Sequence, residues 1–91
     1  MYKNKKILIT GGTGSLGTAL TKRLLSMGVE QIRIFSRNEF KQISMESSIQ
    51  DERLRFLIGD VRDQKRLERA IEDIDIVFHA AALKHVPKVE Y

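Results

Sequence analysis

Gly11, Gly12, Gly14 and Gly17 fall within one seven-residue window of the stretch LITGGTGSLGTAL, residues Leu8 to Leu20, with the hydroxyls of Thr13 and Ser15 between them. Glycines let a chain turn sharply and bring its backbone N–H groups close to a ligand without a Cβ in the way. A phosphate needs such unpaired N–H groups and the positive end of a helix dipole, and both occur in the first turn of a helix. Gly12-Thr13-Gly14-Ser15-Leu16-Gly17 satisfies G-x-G-x-x-G, and Gly11, Gly14 and Gly17 satisfy the looser G-x-x-G-x-x-G. Either spacing alone is a weak signal. Here the loop directly follows the β-branched run KILIT (Lys6–Thr10) and opens onto apolar residues at helical spacing, the context that a dinucleotide fingerprint requires. Gly17 would let that helix pack close against a sheet. The plain alternative is a tight strand-to-helix turn with no ligand. Four clustered glycines weaken a helix start unless something uses their freedom, so the loop is expected to hold a phosphate.

The residues about twenty positions further on bear on which nucleotide. A site that favours a free ribose 2′-hydroxyl carries Asp or Glu there. This chain has Ser36 and Arg37, in FSRNEFKQ. A guanidinium pairs with a 2′-phosphate and stacks on adenine; Lys41, one helical turn on, can join it, and the Ser36 hydroxyl can donate. NADP is therefore expected, with NAD less favoured. Two alternatives stay open: Arg37 as a surface residue at a strand end, and Glu39 reaching a 2′-hydroxyl or holding Arg37 in place. In GDVRD, Asp60 falls where an adenine edge should lie. Its carboxylate would accept from the exocyclic amino group while the Val61 backbone bonds a ring nitrogen, or Asp60 could cap the next helix. Ala80, Ala81 and Ala82 would keep the chain low under ribose and pyrophosphate, or serve close helix–sheet packing.

These residues need elements to place them, and the pattern supplies alternating ones. KILIT reads as a buried parallel strand. Leu16, Ala19, Leu20, Leu24 and Met27 mark one face of a helix that Gly28 stops. QIRIF (Gln31–Phe35) is a second strand. A weakly periodic helix follows from Asn38 to about Ser48, with Phe40 and Ile43 its only firm apolar pair. LRFLIG (Leu54–Gly59) is a third strand, and Asp63 is a plausible N-cap for a helix bearing Leu67, Ala70, Ile71 and Ile74. DIVFHAAA (Asp75–Ala82) is a fourth strand running into a small-residue turn. The order βαβαβαβ predicts an α/β fold: the N-terminal half of a Rossmann-type, doubly wound parallel sheet with right-handed crossovers. Residues 1–91 are expected to form one domain, with the catalytic and substrate-binding parts absent from it.

Composition sets outer bounds. Ninety-one residues suit one small domain with a thin core. With no cysteine, disulfides and thiolate metal sites are excluded. No apolar run approaches a membrane span and no secretory signal is visible, so a cytoplasmic location and no membrane partner are expected. The net charge of +4 comes from scattered rather than massed basic residues, which fits a solvated surface or an anionic small ligand. No recognition-helix pattern or RNA-binding aromatic motif is present, so no nucleic-acid partner is expected. No metal ligation is expected either.

TGGTGSLG, GDVRD and HAAA together resemble the extended short-chain dehydrogenase/reductase superfamily. FSRNEFKQ and AALKHVPKVEY narrow the resemblance to nucleotide-sugar dehydratases of polysaccharide biosynthesis, of the C5-inverting UDP-N-acetylglucosamine 4,6-dehydratase type. The resemblance spans essentially the whole chain. It implies NADP contacts from Thr13, Gly14, Ser15 and Leu16, from Ser36, Arg37, Asn38, Glu39, Phe40 and Lys41, from Asp60 and Val61, and from Ala80. It also implies that Lys84 lies near the nicotinamide ribose and the UDP-sugar substrate. Leu16 stands where relatives often have Phe, a tolerable apolar swap. The implied chemistry is oxidation at C4 of the sugar, elimination of water across C5–C6 and return of the hydride to C6. That needs a Tyr-x-x-x-Lys pair, and neither Tyr2 nor Tyr91 has a Lys four residues on, so no catalytic residue is assigned. The chain is expected to be the cofactor-binding portion of such an enzyme and inactive alone. A 4-epimerase, a reductase or a non-catalytic NADP-sensing module are the alternatives. A homo-oligomer stays open: superfamily members commonly pair through helices absent here, so self-association would use other surfaces, such as an uncovered sheet edge.

Overall fold

A computed structural model describes residues 2–80. The expectations placed on Ala81, Ala82 and Lys84 lie outside the described residues.

The β-branched run forms strand β1 (Lys6–Thr10), followed by helix α1 (Ser15–Ser26), strand β2 (Gln31–Ser36), helix α2 (Glu39–Ile49), strand β3 (Leu54–Ile58), helix α3 (Gln64–Ala70) and strand β4 (Ile76–His79). The strands pair in parallel in the order β3-β2-β1-β4. Ile9 of β1 lies opposite Ile34 on one side and Phe78 on the other. This is the expected half of a doubly wound fold, with the winding reversing between β1 and β4.

Parallel strands covered on both faces must be apolar throughout, and Ile7, Leu8 and Ile9 are wholly buried. On one face Ile7, Ile9, Ile32 and Ile34 pack with Leu24 of α1 and Met45 of α2. On the other, Leu8 and Phe35 pack with Ala70, flanked by Leu67 and Ile74. Gly28, at φ +79°, stops α1 in the left-handed conformation that favours glycine, as its position predicts. The Asp63 carboxylate accepts from Arg66 N and caps α3. No helix among the described residues is long and apolar enough to cross a membrane.

The second helix departs from its pattern. Phe40 and Ile43 are 85% and 54% exposed, while Gln42 and Met45 are buried. Asn38 caps the helix through Lys41 N and so sets its rotation. Gln42 can turn inward because its amide donates to Ser36 Oγ and to the Leu57 carbonyl, both at 2.9 Å. Burying an amide nitrogen whose two N–H donors are both bonded carries little penalty. The third helix is also shorter than its apolar spacing suggests. It ends at Ala70 with Ile71 as C-cap, and Ile74 packs on the second face from the connection that follows. Strand β4 is limited to Ile76–His79, because the Asp75 carboxylate accepts from Lys6 N and marks its start.

Candidate functional site

The first three strands end in loops that rise around one cleft, and β4 closes it with His79. The cleft measures about 1330 Å³ and is lined by Thr10, Gly11 and Thr13 after β1, by Phe35 to Lys41 around the end of β2, by Gly59 to Arg62 after β3, and by His79. Crevices at the carboxyl ends of such strands, beside the reversal in strand order, are where open α/β sheets bind ligands.

The glycine loop builds one wall. Gly11 has φ +66° and turns the chain away from β1, its N–H donating to the Phe35 carbonyl at 2.9 Å. Gly14 is the N-cap of α1 and offers no side-chain cap, so the helix begins with its first-turn donors uncovered by any side chain. A Cβ on Gly14 would meet nothing nearer than the Gly11 carbonyl oxygen at 4.0 Å. Packing within the chain therefore gives no reason for glycine there, whereas a ligand resting on the backbone does. Gly12 and Gly17 are buried beneath the loop, and Ser15 and Leu16 are exposed in the first helical turn.

The tip of β2 builds the opposite wall. Ser36 is buried, and its Oγ accepts from Gln42 Nε2, which leaves the hydroxyl proton to donate. The Arg37 side chain is 71% exposed and its carboxylate partner is Asp60, with Nη1 at 3.6 Å from Asp60 Oδ2. Asn38, Glu39, Phe40 and Lys41 follow along the rim. Lys41 also borders a smaller cavity of about 240 Å³ shared by Thr13, Thr18, Ser44, Met45 and Ser48 between α1 and α2.

Asp60 does not cap the next helix, which Asp63 does. Its carboxylate instead accepts from Arg62 N at 2.9 Å and Arg62 Nη2 at 2.8 Å, with Arg62 Nε at 3.2 Å from both oxygens. The Arg62 hydrogen bonds, with smaller help from the charges of Arg62 and Arg37, hold the Asp60 carboxyl well below the usual carboxylate range.

Of the residues singled out in the sequence, Gly11, Thr13, Ser36, Arg37, Asn38, Glu39, Phe40, Lys41, Asp60 and Val61 share the cleft. Gly12, Gly14, Ser15, Leu16 and Gly17 do not line it, and neither does Ala80. It is 2% exposed and packs in the core with Ile7 and Ile9 of β1, as the close-packing alternative has it for this one alanine. Sequence reasoning missed five lining residues: Thr10, Phe35, Gly59, Arg62 and His79. Thr10 and His79 end the adjacent strands β1 and β4, and Thr10 Oγ1 lies 2.8 Å from His79 Nδ1. Their signal is positional: each is the last residue of a strand. Arg62 stood inside the GDVRD motif and was read only as scattered surface charge. Among the described residues no group of His, Cys, Asp or Glu could hold a metal ion.

A parallel sheet with this loop at its first turn defines a Rossmann-type nucleotide-binding domain of the short-chain dehydrogenase/reductase kind. The chain belongs to the polysaccharide biosynthesis protein family, whose model matches residues 7–91. It is 52% identical over 92 residues to a UDP-N-acetylglucosamine 4,6-dehydratase (inverting) of Campylobacter jejuni, covering 100% of this chain and 28% of that protein. It is 47% identical over 95 residues to a UDP-glucose 4-epimerase of Rickettsia conorii, again covering 100% and 28%. Among solved structures, Pen from Bacillus thuringiensis matches with a TM-score of 0.85 and 41% identity over 93% of this chain and 28% of its own. The Bordetella bronchiseptica enzyme WbmF, in complex with NAD+ and UDP, matches with a TM-score of 0.68 and 26% identity over 86% of this chain and 23% of its own. The chain thus spans about a quarter of the length of the proteins it resembles.

Proposed function

We propose that the chain is the cofactor-binding portion of a nucleotide-sugar 4,6-dehydratase resembling the C5-inverting UDP-N-acetylglucosamine enzymes, and that it holds NADP in the cleft. The observation that carries this reading is the cleft itself, with Gly11 and Thr13 of the glycine loop and Ser36, Arg37 and Lys41 in one lining, beside an uncapped helix start at Gly14. The first turn of α1, with Thr13 and Ser15, would take the pyrophosphate. Ser36, Arg37 and Lys41 would take the 2′-phosphate, and Val61 the adenine edge. NADP supplies hydride chemistry when bound; the described residues bind and orient it. WbmF, solved in complex with NAD+ and UDP, supports a dinucleotide beside a uridine nucleotide in the whole enzyme. The UDP-sugar as substrate, Lys84 beside it, and a cytoplasmic setting belong to the same proposal.

The UDP-glucose 4-epimerase relatives, at 47% identity, support a second reading.

The test is thermal. NADPH is expected to raise the melting temperature by several degrees more than NADH at equal concentration. Equal shifts would reject the 2′-phosphate role of Arg37, and no shift from either coenzyme would reject the cleft as a dinucleotide site.

A further inference from the structure

The geometry points to the small cavity between α1 and α2 as a subsite for a phosphomonoester on the adenosine ribose, with the hydroxyls of Thr18 and Ser44 as further specificity residues beside Lys41. This rests on the dinucleotide reading of the larger cleft and extends it to residues that no motif includes.

Two helix starts set the position. The Thr18 N–H donates to the Gly14 carbonyl at 2.9 Å, so Thr18 stands one turn beyond the point where the glycine loop becomes α1. On α2, Lys41, Ser44 and Ser48 fall at i, i+3 and i+7 and share one face. The Asn38 cap that leaves Phe40 and Ile43 in solvent brings this other face toward α1, beside buried Met45. Thr13 and Lys41 line both this cavity and the main cleft, and so form the boundary between the two. A phosphate held by Lys41 at the end of β2 therefore stands at the mouth of the smaller space.

The lining has the chemistry of an anion site. Helical Ser and Thr hydroxyls commonly bond the backbone one turn back. Thr21 does so on the Gly17 carbonyl at 2.8 Å, and Ser26 on that of Arg23 at 2.6 Å. The hydroxyls of Thr18 and Ser44 make no such bond among the described residues, and Lys41 makes no ion pair among them. No carboxylate lines the cavity, so its one ammonium leaves it net positive. Size agrees. Pockets for drug-sized ligands run to about 300–1,000 Å³. A cavity of about 240 Å³ suits a phosphate-sized group rather than a whole nucleotide. Hydroxyls donating to a phosphate make charge-assisted bonds, stronger than those between neutral groups.

Adenosine 2′,5′-bisphosphate and 5′-AMP isolate the question, because they differ only in the 2′-phosphate. Calorimetric titration of the full chain should show the bisphosphate preferred. Thr18→Val keeps the branched side chain and removes the hydroxyl; it should lower that preference about tenfold, and Ser44→Ala should do the same. Binding of 5′-AMP should stay within twofold of wild type in both. Thr18→Ser, which keeps the hydroxyl, should retain the preference. Each variant should melt within a few degrees of wild type without ligand, since neither hydroxyl bonds the chain. Inorganic phosphate, compared with chloride at equal ionic strength, should weaken the bisphosphate more than 5′-AMP, because free phosphate competes for the same subsite. Equal weakening of the two nucleotides by phosphate overturns the inference. So does a preference within twofold of wild type in both Thr18→Val and Ser44→Ala. If Lys41→Met abolishes the preference and those two variants do not, the NADP reading stands and only the subsite falls. A wild-type chain with no preference removes both.

Discussion

Gly17 lies against Gly12 so closely that a Cβ at position 17 would come within 2.4 Å of the Gly12 Cα and 2.5 Å of its carbonyl oxygen. The obstacle is backbone, which has no rotamer to yield. Gly17→Ala is therefore expected to push α1 off the turn and to cost more than about 3 kcal/mol, in the range of severe core overpacking. For a domain of this size that would largely abolish cooperative unfolding, read by circular dichroism on heating. Gly14→Ala is the contrasting case. Its φ of −75° suits alanine and the added methyl meets open space. It should melt within a few degrees of wild type and bind NADPH at least tenfold more weakly. A Gly14→Ala variant that binds normally would show that no ligand uses that space.

Arg53 ties the chain together at the other end of the sheet. Its Nε and Nη2 are held by the Asp51 carboxylate at 3.0 and 2.8 Å, and its Nη1 donates to the carbonyls of Leu25 and Val29 at 3.1 and 3.4 Å. Those carbonyls lie at and just beyond the end of α1, where helix acceptors run out of partners. Arg53→Ala is expected to destabilise by about 1–2 kcal/mol and to lower the melting temperature by roughly 4–15 °C. Arg53→Lys should recover little, since a single ammonium cannot reproduce the fork.

The Asp60 carboxyl, lowered chiefly by its hydrogen bonds from Arg62, should titrate well below the usual aspartate value of about 3.9. A depressed carboxylate contributes stability that is present above its unfolded value and lost as pH falls through its folded value. The Asp60–Arg62 pairing should therefore persist through mild acid and dissolve only under strongly acidic conditions. Carbon-detected NMR of the Asp60 carboxyl would read this directly. In Arg62→Ala the midpoint should rise toward the ordinary range, and an unmoved midpoint would refute the stated cause.

Much of this organisation was legible in the residues. The strand–loop–helix at the start was clear because three signals agreed: β-branched Ile7 and Ile9, the glycine spacing, and the apolar face led by Leu24. The second helix was legible as a helix, over nearly its observed span, but its buried face was not. Its apolar residues Phe40 and Ile43 face solvent while polar Gln42 faces inward, and only the carbonyl of Leu57 and the hydroxyl of Ser36 explain why. Those partners belong to other strands, so no local pattern could reveal them. Ser36 and Arg37 were found through their spacing from the glycines, with Lys41 one helical turn on, whereas Asn38 and Phe40 came only from the family resemblance. Arg62 was missed because its meaning depends on Asp60, two residues away, turning back to grip it.

Arg33 repeats on the second face what Arg53 does on the first, donating to the carbonyls of Ala70 and Glu72 at the close of α3. The guanidiniums of Arg33 and Arg53 therefore meet the electron-rich tails of helices, while Arg37 and Arg62 sit where strands finish, beside helix heads that are already electron-poor. One kind of side chain thus performs opposite tasks at the two poles of the sheet, quenching a field at the lower and reinforcing one at the upper. A diffusing anion consequently meets a molecule with a preferred pole of approach, set by the common direction of four strands before any single contact is made.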